Sequence, residues 1–412
     1  MPSFCRFHPI LAVITLAVLI SACRKTDQDA PPPTPTGPVT QQEINNWILD
    51  SMRYFYLWNQ YLPSKADSQP AAVQFFNGLK YSADRFSLIY NPNDFSTYPT
   101  SMLYTYGIDF SVIDWPKAPA GAIGVIKLVI PGSPAAQMGL QRGNYFTRIN
   151  GTALNSNNAA ELSEKLLQAS SGSFTLASVT SDNVTEDTTL TINAQILGED
   201  PIYEHSSFNL SGKKVAYIFY NYCNDSYNQS LVSIFQSFKN AGATELILDL
   251  RYNPGGSVTA AALLAALIAP GINEQSVFAR YSGNARLGQR AISFKSALSV
   301  PESGQAIAFS TLTPARLSLQ RVFILAGAQT ASAAELVINN LKPYTQVITI
   351  GQNTFGKDKG AVIISDLRTP QRIPWVLLPI TYNLSNANGE GGYIQGLSIQ
   401  YQVNEMSAQP LS

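Results

Sequence analysis

The stretch 321–361, RVFILAGAQTASAAELVINNLKPYTQVITIGQNTFGKDKGA, constrains the fold of this chain more than any other. Residues 321–326 are a short apolar run of strand length, residues 329–332 are small and polar, and residues 333–341 can wind a helix that buries Leu336 and Val337. A second buried strand follows over residues 347–350 and is closed by Gly351. A strand–helix–strand unit pairs its strands in parallel. It brings Ser332, at the helix start, and Lys357, in the turn after the second strand, to one edge of a sheet, where α/β proteins place their chemistry. Histidine, the usual activator of a serine, is scarce: the chain has His8 and His205 alone, and His8 lies in a segment read below as cleaved. A lysine can take the hydroxyl proton instead if burial or neighbouring positive charge lowers its pKa.

TASAAE, followed 25 positions after its serine by the lysine of TFGK, resembles the S41 serine peptidases, the C-terminal (tail-specific) processing proteases, whose pattern is close to SASASE then TFGKG. The resemblance implies Ser332 as nucleophile and Lys357 as general base, with no metal or organic cofactor. LILDLRYNPGG, residues 246–256, resembles the family's strand and glycine turn. It implies an oxyanion hole from the amide of Ala333 and that of Gly255 or Gly256, where two glycines permit positive φ and close backbone approach. Glu335 matches the family's glutamate in a supporting role, and it equally suits the first turn of a helix. There are departures. The glutamine that orients the lysine in many members is Ala361 here, which leaves the orienting partner open. Lys359 is a rival base that breaks the spacing, and Ile399 and Gln400 stand where proline and aspartate are usual.

Other hydrolase patterns fit less well. There is no G-x-S-x-G elbow. Ser211-Gly212-Lys213-Lys214 satisfies S-x-x-K but reads as a glycine turn before a strand. His205 reads as a loop residue, structural or solvated.

At 412 residues the chain is long enough for two or three domains. Lysine plus arginine equal aspartate plus glutamate at 27 each, so charge gives no case for nucleic acid. Residues 1–23 combine a basic Arg6, an apolar run over 10–20 and the ending Leu-Ile-Ser-Ala-Cys, which resembles a bacterial lipobox. That implies lipidation of Cys23, an anchor in the outer membrane and so a place in the cell envelope, with the membrane face, periplasmic or surface, left open. Cys223 is then expected to be a partly buried structural thiol without a disulfide partner. Residues 24–40 are a proline-rich tether. Residues 41–100 are an N-terminal helical domain, with Ile44, Ile48, Met52, Tyr56 and Leu57 at helical spacing, Thr40 as N-cap and a second helix over 70–79. Tyr56, Leu57, Trp58, Leu62 and Pro63 resemble a YLW-x-x-x-LP signature of Bacteroidetes-type S41 members, and their expected role is core.

Residues 101–197 resemble a PDZ domain, with Gly107-Ile108-Asp109-Phe110 where such domains carry a carboxylate-binding loop and a helix over 158–169 as the far wall of a peptide groove. A glycine-led loop opening onto a strand edge can take a terminal carboxylate and an extended peptide; a ligand-free spacer is the other reading. Residues 198–412 form the catalytic domain. The expected fold is thus multidomain α/β: an N-terminal helical region, a PDZ-like β domain and a ClpP/crotonase-like α/β S41 catalytic domain. The implied function is a serine endopeptidase acting on protein or peptide substrates. A peptide-holding scaffold that does not cleave, and an enzyme latent until the PDZ-like segment moves, are the alternatives. Oligomeric state is not legible.

Overall fold

The computed structural model describes residues 37–67 and 69–404; His8, Cys23 and most of the proline-rich tether lie outside the described residues. The parallel strands read from the sequence join two that were not, Tyr401–Gln402 and Ile202–Leu210, in a six-stranded sheet in the order Tyr401–Gln402, Gln346–Gly351, Arg321–Ala326, Glu245–Asp249, Lys213–Tyr220 and Ile202–Leu210. Every neighbouring pair is parallel except the last, a hairpin turned at Ser211 and Gly212, both at positive φ. His205 is therefore an exposed residue of an edge strand, beside the Phe238 ring, and not a loop residue. Its polar stretch, IYEHSSFNL, hides a strand because an edge with one wet face needs few apolar side chains.

Val258–Ile268 explains the depth of the core. VTAAALLAALI is apolar on all sides, and a helix of that kind has to be enclosed; all of it from Thr259 to Ile268 is buried. Ala333–Leu341 packs against it. The strand Arg321–Ala326 buries Val322, Ile324 and Ala326 and leaves Phe323 and Leu325 partly exposed, so its apolar run is only half enclosed.

A second sheet, four-stranded and antiparallel, carries little sequence signal. Its order is Gln289–Ser293, Val277–Ser282, Ile380–Ser385 and Lys359–Ala361. The loop carrying Lys357 thus leaves a strand of the parallel sheet and enters a strand of the second one two residues later, which pins it at both ends.

The N-terminal helices, Gln41–Phe55 and Ala72–Leu79, bury Ile48, Leu49, Met52, Phe75 and Phe76 around Tyr56. Thr40 caps the first, its Oγ1 accepting from the Glu43 amide at 3.1 Å. This core is not contiguous in sequence. Leu88–Tyr90 pairs antiparallel with Val376–Leu378, Leu377 is fully buried among the helices, and Glu43 takes ion pairs from Arg368 and Arg372. Residues from the far end of the catalytic region therefore complete the N-terminal domain.

The middle domain is a sheet ordered Ile108–Asp114, Ala122–Val129, Tyr145–Ile149, Ser171–Val179, Val184–Asn193, with Thr152–Ala153 also pairing with Tyr145–Ile149. Phe110, Phe146 and Phe174 meet edge to face in its core. Ile108–Asp114 is the edge strand.

Because Leu377 is shared in this way, Leu377→Ala is expected to cost about 2–5 kcal/mol, as for a buried leucine deletion. Urea unfolding followed by the fluorescence of Trp47 and Trp58 is the measurement. A change under about 0.5 kcal/mol would show that the strand does not belong to that core.

Candidate active site

Ser332 stands between the strand Arg321–Ala326 and the helix Ala333–Leu341, at φ 53° and ψ −117°. An L-residue pays about 1–3 kcal/mol to hold such a backbone, so the surroundings have to enforce it. They do so by hydrogen bonds on both sides. Thr330 Oγ1 donates to the Leu250 carbonyl at 2.7 Å, the Ala331 amide donates to the Asn253 carbonyl at 3.0 Å, and the Phe355 amide donates to the Thr330 carbonyl at 2.9 Å. The serine loop is thereby stitched to the glycine turn and to the lysine loop.

Glu335 closes the arrangement. Its fully buried carboxylate accepts from the Ser332 amide (2.9 Å), the Lys357 amide (2.8 Å), the Gly356 amide (2.7 Å) and the Thr354 hydroxyl (2.5 Å). A carboxylate out of water needs such donors, and these belong to the two loops that carry Ser332 and Lys357.

The Lys357 side chain lies half-buried beside a cleft of about 600 Å3, with its Nζ 5.4 Å from the centre of the Phe86 ring. Burial pulls its pKa below the ordinary lysine range, against the opposing pull of Glu335, Asp84 and Glu302. Among the described residues no hydrogen bond joins the Ser332 hydroxyl to the Lys357 amine. Lys359 is held in an ion pair with the adjacent Asp358, so it does not compete on equal terms. Ala361, in the place of the orienting glutamine, lies exposed on the strand Lys359–Ala361.

In the glycine turn, Gly255 and Gly256 have φ of 102° and 125°. A Cβ on Gly255 would lie 2.7 Å from that of Ser332, and one on Gly256 would strike the Cys223 carbonyl at 2.4 Å, so neither position admits a side chain. The two amides differ. That of Gly255 donates to Asn253 Oδ1 at 2.8 Å, whereas those of Gly256 and Ala333 have no acceptor among the described residues. Asn253, fully buried, also donates from Nδ2 to the Tyr220 carbonyl at 2.9 Å. Cys223 is fully buried beside this turn, and burial pushes its thiol up to about 12.

The helix behind the turn is capped by Ser257, whose hydroxyl donates to Asp225 Oδ2 at 2.7 Å. Burial alone would raise the Asp225 pKa; this hydroxyl and the donors of residues 302–304 outweigh it and hold the carboxyl below its usual range.

The middle domain meets the site through Asp109. Its carboxylate pairs with Lys127 at 2.9 Å and accepts from Gln329 Nε2 at 2.9 Å, three residues before the serine, and Lys127 also donates to Gln329 Oε1. Arg142 donates to the hydroxyl of Tyr252, whose ring faces Lys127, Arg142 and Arg251 at 5.2, 5.4 and 5.6 Å. The other loop residues lie elsewhere. Ile108 is buried in the domain core with Phe110 against it, and the Gly107 amide caps the preceding helix by donating to the Leu103 carbonyl at 3.0 Å.

Residues 43–97 and 214–365 match the models of the peptidase S41 N-terminal domain and of peptidase family S41, with a PDZ domain model at 125–179. A crystal structure from Bacteroides fragilis, assigned as an S41 protease, superposes with a TM-score of 0.67 at 27% identity, over 87% of this chain and 90% of that one. The photosystem II D1 C-terminal processing protease shares the fold, with a TM-score of 0.53 at 16% identity over 89% and 94% of the two chains. The carboxyl-terminal-processing protease of a Picosynechococcus strain is 26% identical over 56% of this chain and 50% of its own length. The chloroplastic carboxyl-terminal-processing peptidase 1 of Arabidopsis thaliana is 24% identical over 68% and 53%. The match spans about half the length of these two relatives.

Thr354 and Asn253 were legible only as parts of the TFGK and NPGG motifs. Asp84 and Phe86, from the N-terminal domain, carry no motif of their own.

Glu335→Gln replaces one acceptor oxygen by an NH2 group that faces donors. It is expected to cost about 1–3 kcal/mol and to speed amide hydrogen exchange at Gly356 and Lys357 while leaving the helix Val258–Ile268 protected. Unchanged exchange at those two amides would contradict the role given to the carboxylate.

Proposed function

We propose that the protein is a serine endopeptidase in which Ser332 is the nucleophile and Lys357 the general base. The observation that carries this reading is the Glu335 carboxylate, which joins the backbone of one residue to that of the other while Lys357 is desolvated at the cleft. Neutral Lys357 takes the hydroxyl proton as Ser332 Oγ attacks the peptide carbonyl. The resulting oxyanion is received by the amides of Gly256 and Ala333, with Gly255 serving as the close-packed spacer between them. The lysine then returns its proton to the leaving amine, and water clears the acyl-enzyme. The separation of hydroxyl and amine in the free protein is consistent with this sequence, since catalytic hydrogen bonds commonly tighten only when substrate closes the site.

Protein or peptide segments are the proposed substrates. The cleft is walled by Leu103, Leu128, Tyr252 and Phe355, and the open edge of the strand Ile108–Asp114 can accept an extended peptide. Asp109 touches Gln329, so occupancy of that edge would be felt in the serine loop. We further propose that Cys23 anchors the chain to a membrane of the cell envelope. A scaffold that holds peptides without cutting them is the alternative favoured by the missing hydroxyl–amine bond, and an active-site serine probe separates the two by labelling only the peptidase.

Ser332→Ala and Lys357→Met are each expected to lower cleavage of casein or a tailed reporter by at least ~10³-fold. In the wild type, kcat/KM should rise with pH as Lys357 loses its proton, along an acid limb below the ordinary lysine range, because the protonated amine cannot act as a base. Cleavage at the wild-type rate by either variant, or a limb at the ordinary lysine position, would contradict the assignment.

A further inference from the structure

Among the described residues the Lys357 ammonium has no hydrogen bond and no ion pair, and Ala361 cannot supply the one a glutamine would make. What lies against it is the Phe86 ring, 5.4 Å from Nζ. Phe86 belongs to the N-terminal domain and is held there by polar contacts traceable to the first helix. Tyr56, fully buried, donates from its hydroxyl to Asp84 Oδ2 at 2.8 Å and accepts from the Tyr81 amide at 2.9 Å. Asp84 Oδ1 in turn accepts from the Phe86 amide at 3.0 Å and the Ser87 amide at 2.9 Å, and Ser87 Oγ accepts from the Ile380 amide at 2.8 Å. The turn bearing Phe86 is thus fastened both to its own domain and to the sheet that follows the lysine loop.

From this juxtaposition we infer that Phe86 is the positioning residue of Lys357: the N-terminal domain supplies an aromatic wall that excludes water from the amine and fixes where it stands, in place of the missing glutamine. The inference rests on the reading of Lys357 as general base. An apolar wall is suited to the task. A hydrogen-bond acceptor would favour the ammonium, whereas the ring offers a face weakly attractive to the cation and otherwise dries the site, favouring the neutral amine that a base requires.

The charged groups around Lys357 are Glu335 on the helix Ala333–Leu341, Asp84 beside the ring, Glu302 in the segment that binds Asp225, and Arg85, whose guanidinium lies 5.0 Å from the Phe86 ring and 5.2 Å from that of Phe355. The three carboxylates raise the lysine pKa and burial lowers it, burial being the larger. Opening the wall weakens the dominant effect, so the pKa has to rise. The Tyr56 of the N-terminal signature thereby acquires a part in the chemistry beyond its place in the core.

Phe86 is only partly buried, so its truncation is tolerable for the fold. The test uses the full chain with Phe86→Ala and Phe86→Leu, the second keeping an apolar wall without the π face. In a Ser332→Ala background, the pH dependence of Lys357 acetylation by acetic anhydride, read by peptide mass, reports the amine directly and does not depend on cleavage. With Ser332 restored, kcat/KM is followed across pH. Phe86→Ala is expected to move the acetylation midpoint and the acid limb together to higher pH and to lower cleavage at pH 7 by about tenfold or more, with recovery at high pH. Phe86→Leu is expected to restore most of the wild-type midpoint. An acetylation midpoint that stays put in Phe86→Ala overturns the inference, even if cleavage falls. A midpoint that moves while the acid limb does not sinks the reading of Lys357 as base and leaves the ring's hold on the amine standing.

Discussion

One buried carboxylate carries the geometry of this site. Ser332 follows one strand of the parallel sheet and Lys357 the next, and backbone pairing alone would let the two loops drift apart at their tips. Glu335 accepts from the amides of both residues, and from Thr354 and Gly356 as well. Removing a carboxylate from water is costly unless it is saturated with donors, so the loops fold around it or leave it uncompensated. The strained backbone of Ser332 is tolerable for the same reason: the amide exposed by that conformation is the one that Glu335 engages.

The electrostatics follow from which groups are satisfied and which are not. Asn253 engages the Gly255 amide, Asp225 gathers the donors of Ser257 and residues 302–304, and Asp358 holds Lys359. Two amides, of Gly256 and Ala333, and one amine, of Lys357, lack such partners among the described residues. Unmatched donors are what an oxyanion requires and an amine shielded from water is what a base requires, so the proposed chemistry uses these three groups. Three parts of the chain meet at the cleft beside them: the N-terminal domain through Phe86, the PDZ domain through Asp109 and the catalytic sheet through its loops.

How much of this the sequence made legible depends on the range of the forces involved. The helix Ala333–Leu341 and the strand Arg321–Ala326 have the bounds that their periodicity predicts, because a local apolar pattern decides them. The N-cap Thr40 was equally readable from its neighbours. The second sheet was not, since KGA and QRAIS carry too little hydrophobic signal to declare themselves strands. The pairing of Leu88–Tyr90 with Val376–Leu378 joins segments far apart in the chain, and no local rule reaches across such a distance. Within the site, motif spacing named Ser332, Lys357 and Glu335, but which amide of the glycine turn stays unengaged depends on one Asn253 rotamer. Phe86 had no signal at all, because its importance lies in what it faces.

The proposed chemistry requires the amine and the hydroxyl to meet once the cleft is filled. A crystal structure of the protein inhibited by a peptide boronic acid tests this most directly. Boron is expected on Ser332 Oγ, with a boronate oxygen within hydrogen-bond reach of the Gly256 and Ala333 amides and Lys357 Nζ about 2.6–3.2 Å from Ser332 Oγ. A boronate on another residue, or a Lys357 side chain still turned away from the occupied serine, would contradict it.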